Sequence, residues 1–271
     1  MISIHNVSFS YTLGGLPVLH EVSVQVGDEM VAVLGANGSG KSTLARLMNG
    51  LLLPTSGSVS VDGYATADMD AWPEIRRRVG MVFQSPENQI VSSSVDHDVA
   101  FGLENLCMDA AEMRQRVDDA LIAVDLAGRG DENPHNLSSS EKQRLAVAGA
   151  LAVGPAYLIL DEATSFLDGA DRQDLLAAVV RLRQGGDLGI IMITHLMEEA
   201  LLCDRVVVMA EGHIVFDGLP RDLFAFEPER LAAWRLQTPA LVTLASRLRD
   251  ARIALPAAVT TADALVSALC S

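Results

Sequence analysis

Two glycines, a lysine and a serine in the spacing G-x-x-x-x-G-K-S occupy Gly35–Ser42. They follow an apolar, strand-like segment, Met30–Leu34, and precede a segment whose apolar residues recur at helical spacing. A glycine-rich loop between a strand and a helix turns its backbone N–H groups toward an anion, and the helix adds the positive end of its dipole. Lys41 would reach the β and γ phosphates, and the Ser42 hydroxyl would bind Mg²⁺. The predicted nucleotide-binding residues are Asn37, Gly38, Ser39, Gly40, Lys41, Ser42 and Thr43.

Carboxylates and a histidine end two further apolar segments. Tyr157–Leu160 runs into Asp161 and Glu162, and Ile190–Thr194 runs into His195. Buried parallel strands have this character, and ligands gather at their carboxyl ends. Asp161 would hold Mg²⁺, Glu162 would polarise a water for attack on the γ phosphate, and a histidine there can bond that phosphate or orient the glutamate. Read alone, the two acids fit a surface turn and the histidine fits a packed or surface position.

An amide and an aromatic ring stand at the ends of two other predicted strands. Gln84 follows Val79–Phe83, where its amide oxygen can approach a bound metal and the attacking water; a solvated loop residue is the alternative. Tyr11 follows Ile2–Phe9, where its ring could stack on adenine or simply pack against the protein. The phosphate loop about thirty residues further on favours the stacking role for Tyr11.

From about residue 95 to residue 152 apolar residues recur at 3.6-residue spacing, which predicts a helical insert of about sixty residues interrupted at 128–134. Near the end of this insert, Ser138 precedes an apolar helical stripe, and Glu141 follows Ser138 three residues further along the chain. This is the pattern of a helix N-cap, which the sequence alone favours. The second interpretation is an anion-binding helix start, with Ser138 as a nucleotide contact.

Composition limits the classes of function. The chain has 271 residues, 49% of them hydrophobic, and a net charge of −15, which argues against a nucleic-acid partner. The densest basic run, Arg76–Arg78, fits a solvated helix face. The sequence has no apolar run of the roughly 18 residues that span a bilayer and no signal-peptide pattern, so we expect a cytoplasmic protein that reaches the membrane only through partners. The cysteines Cys107, Cys203 and Cys270 lie far apart and are expected to be reduced structural thiols.

The last part of the chain, after about Phe226, carries no recognisable chemistry. Leucines around 241–248 and 265–269 predict two short helices separated by Pro256. We therefore expect an ATP-binding domain over 1–226, with the helical insert within it, and a small helical extension over 227–271.

In order and spacing these motifs resemble the ATP-binding subunits of ABC transporters over about residues 2–225. The resemblance implies an α/β fold: a P-loop NTPase core with a mixed sheet, an N-terminal antiparallel β subdomain, a helical subdomain and the short C-terminal extension. It makes Gly35–Ser42 the Walker A loop, Gln84 the Q-loop glutamine, Glu162 the catalytic base after the Walker B Asp161, and His195 the switch histidine. It also implies head-to-tail dimers that enclose two ATP molecules, each between one subunit's Walker A loop and the other's signature helix.

The sequences around Gln84, at Asp98–Asn105 and at Asp161–Ser165 most resemble those of the ATPase subunits of energy-coupling factor importers, the vitamin and cobalt or nickel uptake systems. That resemblance implies a transmembrane T subunit whose coupling helix docks beside Gln84, and a separate membrane protein that binds the substrate. The sequence Ala163-Thr164-Ser165 is similar to the one found at this place in one of two paralogous ATPase subunits, and this resemblance implies a heterodimer rather than a homodimer.

The signature departs from the family pattern, because Ser139 and Ser140 replace its two glycines while Ser138 and Glu141 remain. Added side chains crowd backbone that should lie against the triphosphate of the opposite site. A transport ATPase is the main prediction, and a nucleotide-gated subunit that hydrolyses little is the alternative. Glu162 and His195 favour the first, because a subunit that only binds nucleotide needs neither a base nor its orienting partner.

Overall fold

The structure is a computed structural model. It describes residues 1–12, 14–106, 108–253, 255–256 and 262–270. Cys107 and the Thr260-Thr261 segment before the last predicted helix lie outside these residues. Of the other two cysteines, both free thiols, Cys203 is buried and Cys270 is exposed.

The described residues form strands that are, in chain order, β1 (Ile2–Phe9), β2 (Leu19–Val26), β3 (Met30–Leu34), β4 (Ser56–Val61), β5 (Tyr64–Ala65), β6 (Val79–Val82), β7 (Tyr157–Asp161), β8 (Gly189–Thr194), β9 (Arg205–Ala210) and β10 (His213–Gly218). The α-helices are α1 (Lys41–Met48), α2 (Trp72–Arg78), α3 (Val95–Glu104), α4 (Ala110–Ala123), α5 (Ser139–Ala152), α6 (Gly169–Gln184), α7 (Met197–Ala200), α8 (Pro220–Leu223), α9 (Pro228–Ala233), α10 (Ala240–Asp250) and α11 (Ala262–Leu269). No helix in this described part combines the length and the apolar character needed to cross a bilayer.

A six-stranded sheet in the order β10-β9-β3-β8-β7-β6 forms the centre of the molecule. Its strands β9, β3, β8, β7 and β6 are parallel, and β10 pairs antiparallel with β9. Every residue of β3, β7 and β8 is buried, because apolar layers cover both faces of the sheet. The carboxyl ends of β3, β6, β7 and β8 therefore meet at one edge, which carries the residues predicted to do chemistry.

A second sheet, in the order β2-β1-β4-β5, is antiparallel and packs against one face of the first sheet. Its strands alternate between buried and exposed residues, as expected of a sheet with one covered face. The mixed sheet and the antiparallel sheet confirm the predicted fold class.

Helix α5 packs against β6 of the six-stranded sheet, and α3 and α4 pack against α5 and against each other. They bury the apolar stripe read from the sequence, including Val99, Leu103, Val117 and Leu121. The predicted interruption of the insert falls between α4 and α5, where the chain makes only a short 3₁₀ turn at Pro134–Asn136.

The chain after β10 forms α8 and α9 before the two helices predicted from the leucine spacing, α10 and α11. Both α8 and α9 are too short to show helical periodicity and begin with proline, which is favoured at a first helical turn. Edge-to-face contacts join Phe216 to Phe226 and Phe226 to Trp234, which tie this segment to β10. Ala245 and Leu265 bring α10 and α11 together in a small separate cluster.

Candidate active site

The loop between β3 and α1 requires glycine at two positions where other backbone approaches it. Gly35 has φ 151°, and a Cβ there would lie 2.2 Å from the carbonyl oxygen of Met209 in β9. Gly40, the N-cap of α1, has φ 102°, and its Cβ would lie 2.6 Å from Leu19. A side chain at either position would push the loop away from β9 or β2, so the glycines hold the loop in a closed cradle.

Lys41 lies inside this cradle, where only 4% of the residue is exposed. Its Nζ donates to the carbonyl oxygens of Gly35 and Ala36 at 2.9 and 3.1 Å and lies 3.9 Å from Glu162 Oε1. Burial lowers the pKa of the ammonium, against the opposing attraction of the nearby carboxylates. A buried cation bonded only to carbonyl oxygens retains unused donor capacity directed at the loop.

Ser42 and Asp161 are 119 residues apart in the chain and meet across the sheet edge. The Ser42 hydroxyl donates to Asp161 Oδ1 at 2.7 Å. Burial raises the pKa of the Asp161 carboxyl, and the hydrogen bond from Ser42 opposes that rise. A hydroxyl and a carboxylate brought together beside a phosphate-type loop are the oxygen ligands that Mg²⁺ prefers.

Glu162 lies at the centre of the site. Its Oε2 accepts from Gln84 Nε2 at 3.2 Å and from the Ser165 hydroxyl at 3.4 Å, and it lies 3.8 Å from His195 Nδ1. The residue has a positive φ of 52°, held by the hydrogen bond of its N–H to the Ile193 carbonyl. Left-handed backbone of this kind costs of order 1 kcal/mol and persists only where the surroundings fix it.

His195 and Gln84 are the solvent-facing members of this group. The His195 side chain is 46% exposed and Gln84 is also exposed, whereas Glu162 is 15% exposed. They follow β8 and β6, on either side of β7 and its two acids. The parallel strands predict that these residues lie at one edge of the sheet, and the structure brings them together there.

Tyr11 reaches the same loop from the antiparallel sheet. Its hydroxyl lies 2.9 Å from the Thr43 hydroxyl in the first turn of α1, and its ring packs edge-on against Phe9. The residue is nevertheless 56% exposed. An exposed ring held by its hydroxyl beside the phosphate loop is available for stacking.

Ser138 lies apart from these residues, at the start of α5. Its N–H and its hydroxyl oxygen both bond Glu141, whose other oxygen accepts from Arg129, so the serine forms a capping box. Ser139 is exposed, whereas Ser140 is 1% exposed and its hydroxyl has no partner among the described residues. The helix cap foreseen for Ser138 is present, and a contact to nucleotide stays a prediction.

The cradle fits a polyphosphate. Helix α1 begins without a side-chain cap and without an acidic residue in its first turn, so its N-terminal N–H groups face the loop unopposed. The buried Ser39 hydroxyl is a further donor with no partner among the described residues. Donors without acceptors, converging on a glycine loop beside a buried lysine, suit a ligand rich in anionic oxygens.

Two glutamines hold the backbone on which Gln84 is mounted. The Phe83 N–H donates to Gln89 Oε1 at 2.8 Å, and the Phe83 carbonyl accepts from Gln143 Nε2 of α5 at 3.4 Å. Nearby, Lys142 Nζ of α5 lies 3.0 Å from Glu87 Oε1 in the same loop. Sequence reasoning missed these residues, and the only signal was the polar run Glu141–Arg144 at the start of an otherwise apolar helix.

Fold and site together define a P-loop ATPase of the ABC class, and comparisons with known proteins agree. Residues 19–165 match the ABC transporter family. The chain is 51% identical over 242 residues to the energy-coupling factor transporter ATP-binding protein EcfA1 of Symbiobacterium thermophilum, covering 89% of this chain and 84% of that protein.

Solved structures give the same result. The cbiO1 protein of Clostridium perfringens, described as part of the ABC transporter complex cbiONQ, superposes with a TM-score of 0.78 at 34% identity, covering 90% of this chain and 98% of that one. A bacterial ABC transporter cassette solved as a dimer gives a TM-score of 0.73 at 28% identity, covering 81% and 99%.

The chain therefore belongs to the ABC transporter family and is an ATP-hydrolysing subunit of it. Within that family it is an ATP-binding subunit of the energy-coupling factor type.

Proposed function

We propose that this chain supplies the ATPase activity of an energy-coupling factor importer that takes up a vitamin or a metal ion. The observation that carries the proposal is the convergence of Lys41, Ser42, Asp161, Glu162 and His195 at one edge of the sheet. Residues 1–226 would form the ATPase domain and 227–271 the C-terminal extension.

Each polar group of the site has a separate task in ATP hydrolysis. Lys41 and the loop N–H groups bind the β and γ phosphates, and Tyr11 stacks on the adenine. Ser42, Asp161 and Gln84 would hold Mg²⁺, which would neutralise charge on the phosphate oxygens. Glu162 accepts a proton from the attacking water through its carboxylate, which Gln84 and His195 approach from neighbouring strands.

The orientation of Glu162 comes from its neighbours. Gln84, Ser165 and His195 all approach the same oxygen, so the carboxylate cannot rotate without losing these contacts. His195, which is half exposed, can in addition donate to a γ phosphate oxygen. The result is a base whose position is set before the nucleotide arrives.

The nucleotide sandwich requires a second ATPase subunit, because the hydrogen bonds of Ser138, the N-cap of α5, go to Glu141 and not to this chain's own phosphate loop. We infer that Ser138 contacts the ATP bound by that partner, at the positive end of the α5 dipole. The partner is a paralogue rather than a second copy, as the wording of Ala163–Ser165 implies.

A groove beside the Gln84 loop suits a helix of a transmembrane subunit. It has a volume of about 340 Å³ and lies between the end of β6 and helices α3 and α5. Leu51, Val91 and Phe101 line it and are exposed, and exposed apolar residues of this size mark interaction sites. Docking of the T subunit here would place this chain peripherally on the cytoplasmic face of the membrane, where a separate membrane protein binds the substrate.

The side chains of Ser139 and Ser140 favour a second candidate, a subunit whose nucleotide binding gates the complex while it hydrolyses little. Ser140 buries a hydroxyl without a partner among the described residues at the start of the signature helix, which is a cost that glycine would not carry.

The two candidates are separated by Glu162→Gln in the complex purified with its membrane subunits and its second ATPase. Loss of turnover with retained ATP affinity supports the transport ATPase, and unchanged turnover supports the gating subunit. Glu198→Gln is the matched control, since Glu198 is an exposed glutamate near the site. Identification of the copurifying substrate-binding protein tests the class of substrate, and a soluble partner set would contradict the proposal.

A further inference from the structure

A buried carboxylate lies behind the site and takes no part in the proposed chemistry. Glu199, in α7, is 2% exposed, and acidic side chains are almost never buried to this degree unless they are paired. The Thr164 hydroxyl donates to its Oε1 at 2.5 Å. The Thr194 hydroxyl also acts on this carboxyl and lowers its pKa. Both threonines are themselves buried.

The two threonines directly precede the residues that contact Glu162. Thr164 is followed by Ser165, whose hydroxyl lies 3.4 Å from Glu162 Oε2, and Thr194 is followed by His195, whose Nδ1 lies 3.8 Å from the same oxygen. The Thr164-Ser165 and Thr194-His195 segments are distant in sequence. Their threonines are therefore linked through Glu199, while Ser165 and His195 both approach Glu162.

We propose that Glu199 is a positioning residue, which fixes Ser165 and His195 against Glu162 by accepting hydrogen bonds from the threonine before each of them. This inference rests on the proposed roles of Glu162 and His195. Glu199 touches neither the nucleotide nor the attacking water, and it acts only through the two loops.

The hydroxyls of Thr164 and Thr194 take the place of water around the buried Glu199 carboxylate. An adjoining cavity of about 10 Å³ is at the lower limit of the space that one water requires. Burial raises the pKa of Glu199, while the hydrogen bonds from the threonines and the charges of Arg172 and His195 act in the other direction. Arg172 also donates to the Leu167 carbonyl at 3.0 Å, which holds the loop after Thr164 from its other end.

Matched substitutions separate this positioning role from simple packing. Glu199→Gln keeps the shape and an amide oxygen that can accept from the Thr164 hydroxyl, whereas Glu199→Ala removes the link. In the assembled complex we expect Glu199→Ala to lower ATP turnover about tenfold, because Ser165 and His195 would no longer be held firmly against Glu162 in the transition state. Glu199→Gln should stay within about threefold of the unmodified protein, and the Kd for ATP should change little in either variant.

A second pair keeps the test valid if Glu199→Ala fails to fold. Thr164→Val removes the hydroxyl at nearly constant volume, and Thr164→Ser retains it. Thr164→Val should lower turnover and speed amide hydrogen exchange over residues 163–168, and Thr164→Ser should do neither. Exchange at 194–197 should rise in Glu199→Ala and not in Glu199→Gln.

Unchanged turnover in both Glu199→Ala and Thr164→Val would overturn the inference, and so would an equal loss in Thr164→Val and Thr164→Ser. Glu162→Gln, measured in parallel, separates this failure from a failure of the proposed function. If Glu162→Gln abolishes turnover and the Glu199 and Thr164 variants do not, the proposed function stands and only the role of Glu199 is wrong.

Discussion

Replacement of Ser139 and Ser140 by glycine should raise the ATP turnover of the assembled complex. These residues are the first two of α5, directly after the Ser138 cap. In the proposed sandwich this turn lies against the triphosphate held by the partner subunit, where the exposed side chain of Ser139 keeps the backbone at a distance. Only interactions that improve in the transition state raise turnover, and close approach of the N–H groups of this turn to the developing charge is one of them.

The folding cost of the double substitution is small. Glycine is about 0.5 kcal/mol less favourable than serine at a helical position, so two substitutions cost about 1 kcal/mol. Removal of the buried Ser140 hydroxyl, which has no partner among the described residues, returns about 1 to 3 kcal/mol. The net change lies between about zero and 2 kcal/mol of stabilisation. Unfolding therefore cannot explain a change in rate.

The assay is phosphate release by the complex at saturating ATP, with the Ser139→Ala and Ser140→Ala double variant as the control. Alanine removes the hydroxyls and keeps each Cβ, so it separates backbone crowding from the loss of a hydroxyl. We expect the glycine variant to gain several-fold, up to about tenfold, which corresponds to about 1.4 kcal/mol. The reasoning is refuted by an unchanged or lower rate with glycine, or by an equal gain with alanine.

Substitutions at three further positions test the site and its supports. Gly35→Ala should destabilise the fold by about 2 kcal/mol or more and abolish ATP binding, because its Cβ would collide with the Met209 carbonyl; an unchanged melting temperature would contradict this. Glu141 has its pKa lowered to about 2 by hydrogen bonds from a backbone amide and an arginine, so its contribution is full above its ordinary value of 4.5 and disappears as the pH falls toward 2. Glu141→Gln should therefore cost about 1 kcal/mol in urea unfolding at pH 7, discounted for partial exposure, and nothing near pH 2. Tyr11→Ala should weaken ATP binding several-fold by equilibrium titration, whereas Tyr11→Phe, which loses only the contact to Thr43, should bind nearly normally; equal losses in the two would assign the effect to the hydroxyl.

The central part of the site could be predicted from sequence because the strands that carry it are short, apolar and parallel. Once Met30–Leu34, Tyr157–Leu160 and Ile190–Thr194 are read as buried parallel strands, the residue that follows each is expected at the same edge of one sheet. The prediction needs no side-chain detail, since strand direction alone brings Asp161 and His195 to the phosphate loop.

The supports of the site could not be predicted in the same way. Glu199 is one of two adjacent glutamates, and only packing decides that it is buried while Glu198 is exposed. In the sequence, Gln89 looks like an ordinary loop residue and Gln143 like an ordinary helix-surface residue. In the structure both form hydrogen bonds with the backbone of Phe83. Helices α8 and α9 could not be predicted because segments of four and six residues are too short to show a periodicity of apolar residues.

The grip of Gln143 on the Phe83 peptide has a thermodynamic consequence. One loop carries Gln84 to the base, lines the groove proposed for the membrane subunit and is tied to the signature helix. Linkage between two binding events is symmetric, so if the membrane subunit strengthens ATP binding through this loop by some factor, ATP strengthens the grip on the membrane subunit by the same factor. Hydrolysis would then lower the affinity of the groove for the membrane subunit as well as the affinity of the site for nucleotide. A membrane subunit that binds equally well in both nucleotide states could not be driven by ATP.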